Sequence, residues 1–288
     1  MIGLIAMDLD NTALVDGRLP EGNKEAILRA VDAGVMPVVA TGRTLSGIPA
    51  DIRNLRGFKY AITCNGATIW DMEEQRVLSR YALDEETVRK LLSIGEKYHT
   101  TYEIFTNGSS YIDRSYYEDP GSFGAPEHLR EYIRFARIPV DDIRAFIHEH
   151  EEEIENFVLT VKGDEMHRKV AEAVLRTCPE VTMVDCDAWW VEVLSGQSCK
   201  GKALARLAEI LQVERSTIAA FGDGDNDIGL LENAGLAVAM GNASEGLKKV
   251  ADHITKDVKE DGLAYGIGQI LEGRWKAATC CGRQNENI

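Results

Sequence analysis

Ile2-Gly3-Leu4-Ile5-Ala6-Met7-Asp8-Leu9-Asp10-Asn11-Thr12 begins with six uncharged residues and stops on two carboxylates and a polar turn. A short continuous apolar run is the pattern of a strand buried on both faces, as in a parallel sheet. In open α/β sheets, ligands bind just outside the carboxyl ends of such strands. Asp8 and Asp10 fall at that end. Two carboxylates this close repel unless a cation or a proton lies between them. Neither caps a helix, because the next helical pattern opens at Pro20-Glu21. A polar turn after a core strand is common, so the pair alone decides little. What matters is whether other strands of the chain end in the same way.

Working outward, Ala26, Ile27, Ala30 and Val31 give a helical stripe, and Gly34 is placed to end it. Val35 to Ala40 is a second buried run, ending in Thr41-Gly42-Arg43. Strand, helix and strand make a βαβ unit with a right-handed crossover. Tyr60 to Cys64 is a third run, ending in Asn65-Gly66-Ala67, and Ile69-Trp70 with Val77-Leu78 reads as a hairpin. From Leu83 the texture changes to an amphipathic helix over Glu85–Tyr98 and half-polar alternating strands. Among these, Val181–Val184 and Trp189–Val193 pair around Asp185-Cys186-Asp187-Ala188. Such alternation suits an antiparallel sheet covered by helices on one face. The parallel pattern then resumes with a helix over Lys200–Leu211 and a strand from Ile218 to Phe221. That strand ends in Gly222-Asp223-Gly224-Asp225-Asn226-Asp227. A run from Gly235 to Gly241 and a last helix over Gly262–Leu271 follow.

The fold class is therefore α/β: a Rossmann-like, doubly wound parallel sheet interrupted by an inserted α+β domain. The core takes residues 1–82 and 191–272, the insertion 83–190, and 273–288 is an aperiodic tail read as disordered.

Composition narrows the partners. The chain has 288 residues and a formal net charge of -15. That balance opposes nucleic acid, whose phosphates need Lys and Arg, and an anionic membrane surface. A small phosphorylated ligand stays compatible, because a local cation and a few basic groups outweigh a distant field. No apolar run has the length of a membrane span. Six scattered cysteines, without a Cys-x-x-Cys pair, read as reduced thiols of a cytoplasmic protein. The assembly expected is a monomer or a homodimer.

At least four strands thus end in polar groups on one sheet edge: Asp8 with Asp10, Thr41-Gly42-Arg43, Asn65-Gly66, and Asp223 with Asp225, Asn226 and Asp227. Lys200 opens a helix that can approach the same edge. Oxygen-rich carboxylate sites suit a hard cation, Mg²⁺ foremost, which is commonly shared with a phosphate. Glycine turns let backbone N–H groups approach phosphate oxygens. A free carboxylate can then attack phosphorus, and a second can protonate the leaving oxygen and activate water.

With these four segments in order, the chain resembles a haloacid dehalogenase (HAD) superfamily phosphatase of the Cof type, whose inserted domain is a cap. Asp8-Leu9-Asp10-Asn11-Thr12 resembles the first motif, Thr41-Gly42-Arg43 the second, Lys200-Gly201 the third and Gly222–Asp227 the fourth. Asn65-Gly66-Ala67 matches a further turn of this branch. The resemblance covers residues 1 to 272. It implies Asp8 as nucleophile and Mg²⁺ ligand, and Asp10 as general acid/base that also offers its backbone carbonyl to the metal. It implies Asp223 as the third protein ligand, and Thr41, Gly42, Lys200 and Asn226 as holders of the phosphoryl group. Asp227 is implied as support behind the metal. Asn11 departs from the family, which more often has Gly there.

The function this implies is a Mg²⁺-dependent phosphatase of small metabolites, such as sugar phosphates or nucleotide- and cofactor-related phosphates, acting through an aspartyl-phosphate. Two other readings stand beside it: a phosphomutase of the same fold, and a non-catalytic phospho-accepting or sensing module. Asp10 and the large insertion speak against the last. Among the residues left over, Cys199 beside Lys200 reads as a partly buried bystander. His148-Glu149-His150 in its acidic run reads as a solvated helix face. Trp189 and Trp190 read as packing for their hairpin.

Overall fold

The run Leu4–Met7 forms a strand, β1, with every residue buried. A computed structural model of the chain describes residues 1–184 and 189–276. After β1 comes α1 (Glu21–Asp32), which buries Ala26, Ile27 and Ala30. Gly34, at φ +81°, turns the chain into β2 (Met36–Ala40). A short α2 (Ala50–Arg53) leads to β3 (Tyr60–Thr63), and β4 (Thr68–Asp71) and β5 (Arg76–Arg80) follow.

The chain then builds α3 (Glu85–Tyr98), β6 (Thr101–Thr106), β7 (Ser109–Asp113), α4 (Arg114–Glu118), α5 (Glu127–Ala136), β8 (Ile138–Val140) and α6 (Ile143–Glu149). It continues with β9 (Ile154–Thr160), α7 (Gly163–Thr177), β10 (Val181–Val184) and β11 (Trp190–Ser195). The final series is α8 (Lys200–Leu211), β12 (Ile218–Gly222), α9 (Ile228–Glu232), β13 (Leu236–Ala239), α10 (Glu245–Val250), β14 (His253–Ile254) and α11 (Gly262–Leu271).

These elements form two compact units. One comprises Met1–Gly42, Ile48–Ser79 and the chain from Cys199 onward. It holds an eight-stranded sheet in the order β14-β13-β12-β1-β2-β3-β4-β5. Pairings from β14 to β3 are parallel, and β4 joins β3 antiparallel. The four central strands are almost wholly buried, which is why they read as continuous apolar runs.

The other unit comprises Arg43–Gly47 and Arg80–Ser198. Ser46 N donates to Gly108 O at 2.8 Å, tying the short segment to the long one. Its six-stranded sheet runs β10-β11-β9-β6-β7-β8, antiparallel except for β7 with β8. One face packs Ile104, Phe157, Leu159, Val191 and Val193 against Val88, Leu91, Val170 and Val174 of α3 and α7. Ile112, Tyr116, Ala125 and Ile133 form a second cluster, with Trp190 and Leu129 against it. Tyr111 packs with the first cluster and Ile112 belongs to the second, as alternation along a strand requires.

Two helices here, α5 and α6, go beyond the sequence expectation, which marks only a helix face at His148-Glu149-His150. Five of the ten residues of α5 are charged or histidine, which thins its apolar signal. The connector Asp185-Cys186-Asp187-Ala188 and the tail from 277, with Cys280 and Cys281, lie outside the described residues. Among the described residues no helix is long and apolar enough to cross a membrane.

Candidate active site

β1 lies between β12 and β2, so the strand order reverses beside it. A crevice opens at such a switch point beyond the carboxyl ends of the strands. The sheet fixes what lines it. Asp8 N donates to Phe221 O at 3.0 Å, carrying the β1–β12 ladder one residue past the strand. Thr41 N donates to Ile62 O at 2.9 Å, and Asn65 N to Thr41 O at 3.0 Å. Ser244 N donates to Asp223 O at 2.9 Å, which holds the end of β12.

Lys200 is the first residue of α8 and is 2% exposed. Its ammonium donates to Asp8 Oδ1 and to Asp227 Oδ1, both at 2.7 Å. The other oxygen of Asp227 accepts from Asp223 N at 3.0 Å and Gly224 N at 3.2 Å. Gly222 makes that turn possible, since a Cβ there would lie 2.5 Å from the Cβ of Asp227. Thr12 Oγ1 donates to Asp223 Oδ1 at 2.9 Å, linking the turn after β1 to the turn after β12. Asn226 Nδ2 donates to Asn65 Oδ1 at 3.1 Å. The structure therefore brings Asp8, Lys200, Asp223 and Asp227 together, with Thr41 buried at the neighbouring strand end and Asn226 exposed at the lip. Asp10 is exposed and is not among the three acids whose oxygens lie within 4.8 Å of one another, but its charge acts on Asp223.

The turn that carries Asp10 explains the departure at Asn11. Asn11 adopts φ +57°, a left-handed conformation that Gly takes freely and Asn tolerates. Asn242 Nδ2 donates to Asn11 O at 2.9 Å and steadies it. Thr12 and Asn65 are the buried polar residues whose parts sequence reasoning missed. Each stands in a motif, but their partners are distant in sequence and no local signal names them.

Burial sets the electrostatics. It pushes the Asp8 carboxyl up to about 8, with Asp227 and Asp223 adding repulsion and Lys200 opposing. Burial also raises Asp223 to about 6, with Thr12 opposing and Asp227 adding. Lys200 is desolvated too, yet Asp227 and Asp8 outweigh that and raise its pKa, so it stays charged. One ammonium thus faces three carboxylates.

That imbalance suits a cation. Oxygens of Asp8, Asp223 and Asp227 lie within 4.8 Å of one another. The donor set is all carboxylate, which fits a hard divalent ion rather than a thiophilic one. Both Asp227 oxygens already accept hydrogen bonds, whereas Asp8 and Asp223 each give only one oxygen to a donor among the described hydrogen bonds. Asp8 and Asp223 are thus the better ligands, and Asp227 the better brace.

Other candidates settle elsewhere. Cys199 is half-buried, and a Cβ on Gly229 would meet its Sγ at 2.9 Å. His148 Nδ1 pairs with Glu151 Oε1 at 2.7 Å, and His150 stacks on Phe146 with 4.1 Å between centroids. Trp190 packs against the Tyr116 cluster.

The profile of haloacid dehalogenase-like hydrolases matches residues 5–267. The chain belongs to that family, and it is an enzyme of the phosphatase type. It is 30% identical over 269 residues to the 5-amino-6-(5-phospho-D-ribitylamino)uracil phosphatase YcsE of Bacillus subtilis, covering 92% of this chain and 94% of that protein. Against the pyridoxal phosphate phosphatase YbhA of Escherichia coli the identity is 28% over 273 residues, covering 92% and 97%. A solved haloacid dehalogenase-like hydrolase from Bacteroides thetaiotaomicron has the same fold, with a TM-score of 0.80 at 24% identity, covering 94% of this chain and all of that one.

Proposed function

We propose that this chain is a cytoplasmic, Mg²⁺-dependent phosphomonoesterase that cleaves small phosphorylated metabolites through an aspartyl-phosphate on Asp8. The observation that carries the reading is the buried Lys200–Asp8–Asp227 network beside Asp223 at the strand-order switch. An Asp8 oxygen attacks phosphorus as the bond from phosphorus to the leaving oxygen breaks. Asp10 gives a proton to that leaving oxygen and then takes one from the water that cuts the acyl phosphate. Thr41, Gly42, Lys200 and Asn226 hold the phosphoryl oxygens. Asp8, Asp223 and the Asp10 backbone carbonyl hold the metal, and Asp227 orients the site from behind. When bound, Mg²⁺ neutralises phosphoryl charge and lets a carboxylate approach an anion.

The substrate class is supported by relatives named for a ribityl-uracil phosphate and for pyridoxal phosphate. The inserted unit is proposed to choose the leaving group. Exchanging it for that of another family member should reorder the substrates and keep the dependence on Asp8. An unchanged ranking would refute this assignment. The free thiols Cys64, Cys178 and Cys199 fit a reducing compartment.

The test is phosphate release from p-nitrophenyl phosphate and a metabolite panel. It compares wild type with Mg²⁺, wild type with EDTA, and Asp8→Asn with Mg²⁺. Activity lost in both controls is the expected result. Full activity in Asp8→Asn would remove the nucleophile assignment.

A further inference from the structure

The turn Cys64–Gly66 after β3 has no task in the mechanism above, yet its backbone is tightly constrained. Three consecutive residues take positive φ: Cys64 at 49°, Asn65 at 52° and Gly66 at 96°. Non-glycine residues held there are strained and persist only where the surroundings over-determine them. The surroundings here are the candidate phosphoryl-holding segments themselves.

Asn65 is 8% exposed. Its backbone N–H donates to Thr41 O at 3.0 Å. Its side-chain Oδ1 accepts from Asn226 Nδ2 at 3.1 Å. Its amide also lies over Gly42, where a Cβ would stand 3.1 Å from Nδ2 and 3.2 Å from Oδ1. Gly66 is seated on the start of α8. A Cβ there would fall 2.3 Å from Cys199 C, 2.4 Å from Cys199 O and 2.7 Å from Lys200 N. One three-residue turn therefore touches Thr41-Gly42, Cys199-Lys200 and Asn226, which come from three distant parts of the chain.

We infer that Asn65 and Gly66 are positioning residues that hold these three segments in the register at which they grip one phosphoryl group. The inference rests on the roles proposed above for Thr41, Gly42, Lys200 and Asn226. Asn226 is exposed on a short turn, and its described hydrogen bond goes to Asn65. Without that bond its carboxamide loses its fixed direction, and so does the amide that lies over Gly42. The effect of Asn65 on the reaction therefore runs through Asn226 and Gly42.

The test uses the full chain and a double-mutant cycle of Asn65→Gly, Asn226→Ala and the pair. Glycine accepts φ +52° without strain, so Asn65→Gly removes the bridge and leaves the turn. The readouts are kcat and KM for p-nitrophenyl phosphate, the inhibition constant of inorganic phosphate, and Tm. Each single variant should lose roughly tenfold in kcat/KM, the scale of one buried hydrogen bond, and weaken phosphate inhibition in parallel. The double variant should lose clearly less than the two single losses combined, because Asn65 acts in part through Asn226. Wild-type kcat/KM in Asn65→Gly, or additive losses in the pair, would overturn the inference. A wild type that binds and hydrolyses no phosphate compound would instead sink the phosphatase reading. If Asn65→Gly does not fold, ¹⁵N spectra of Asn226→Ala serve. The Asn65 side-chain NH₂ resonances and the phosphate-dependent shift at Gly42 should both change, and unchanged resonances would refute the coupling.

Discussion

Lys200 Nζ lies 2.7 Å from Asp227 Oδ1, and both side chains are 1% exposed. The same ammonium lies 2.7 Å from Asp8. Lys200 is thus the counter-charge of two buried carboxylates, one assigned to chemistry and one to bracing. Removing one partner of a buried pair leaves an uncompensated charge, a loss of about 3–5 kcal/mol. Lys200→Met should therefore lower the free energy of unfolding by about that much and abolish phosphate release. Adding Asp8→Asn to it should recover part of the stability and none of the activity. Denaturant titration of the single and double variants checks this, and equal stability of Lys200→Met and wild type would break the argument.

Asp8 gives the opposite result alone. In the folded, metal-free protein its carboxyl is pushed up to about 8, by burial first and by Asp227 and Asp223 behind Lys200. The unfolded chain gives up that proton near the ordinary 3.8. Between these values the folded state binds more protons than the unfolded state. Stability of the metal-free protein should thus fall as pH rises from about 4 to 8, by at most about 1.4 kcal/mol per pH unit for one proton. Asp8→Asn should flatten that slope while removing activity. Thermal unfolding in EDTA at several pH values tests it, and parallel slopes for the two proteins would contradict it.

Away from the site, Asp84 caps α3 by accepting from Thr87 N at 2.9 Å, and from Thr87 Oγ1 at 2.8 Å. The Thr87 backbone N–H holds the Asp84 carboxyl below its usual range. A carboxylate with a depressed pKa stabilises above the unfolded value and loses that contribution as pH falls through the folded one. Asp84→Ala should cost about 1 kcal/mol at neutral pH, and less once the pH falls below the ordinary carboxylate range. Because this cap touches only the inserted unit's own helix, kcat on p-nitrophenyl phosphate should not change. A drop in kcat would tie α3 to catalysis and refute the reading.

What the sequence disclosed follows from where physical constraint is local. The buried parallel strands are legible because both faces are covered, so β1, β2, β3 and β12 are near-continuous apolar runs. The limits of α3, α8 and α11 agree with the expected ones, because each has an unbroken apolar stripe. By contrast α5 carries four Arg or Glu in its first eight residues, and the three-residue β8 is too short for any period to appear. The converging acids could be read because their turns stop apolar strands abruptly. The work of Thr12 and Asn65 could not, because each depends on a partner 211 or 161 positions away.

Thr12 gives the sharpest test of that hidden layer. It is fully buried, and its hydroxyl donates to Asp223 Oδ1 at 2.9 Å. This bond lowers the pKa of Asp223, against the burial that raises it to about 6. It also engages one carboxylate oxygen of Asp223, a member of the acid cluster. Thr12→Val keeps the shape and deletes the donor. Asp223 should then ionise less readily and lose its fixed rotamer, weakening a hard cation about 10- to 100-fold, as losing a partner behind a metal ligand commonly does. The Mg²⁺ concentration for half-maximal activity should rise by that factor, with kcat at saturating metal much less affected. Thr12→Ser restores the hydroxyl and should restore the affinity. A Thr12→Val enzyme with wild-type metal dependence would show that Asp223 is held without Thr12, or that Asp223 does not hold the metal; calorimetric titration of the metal-free protein with Mg²⁺ separates the two.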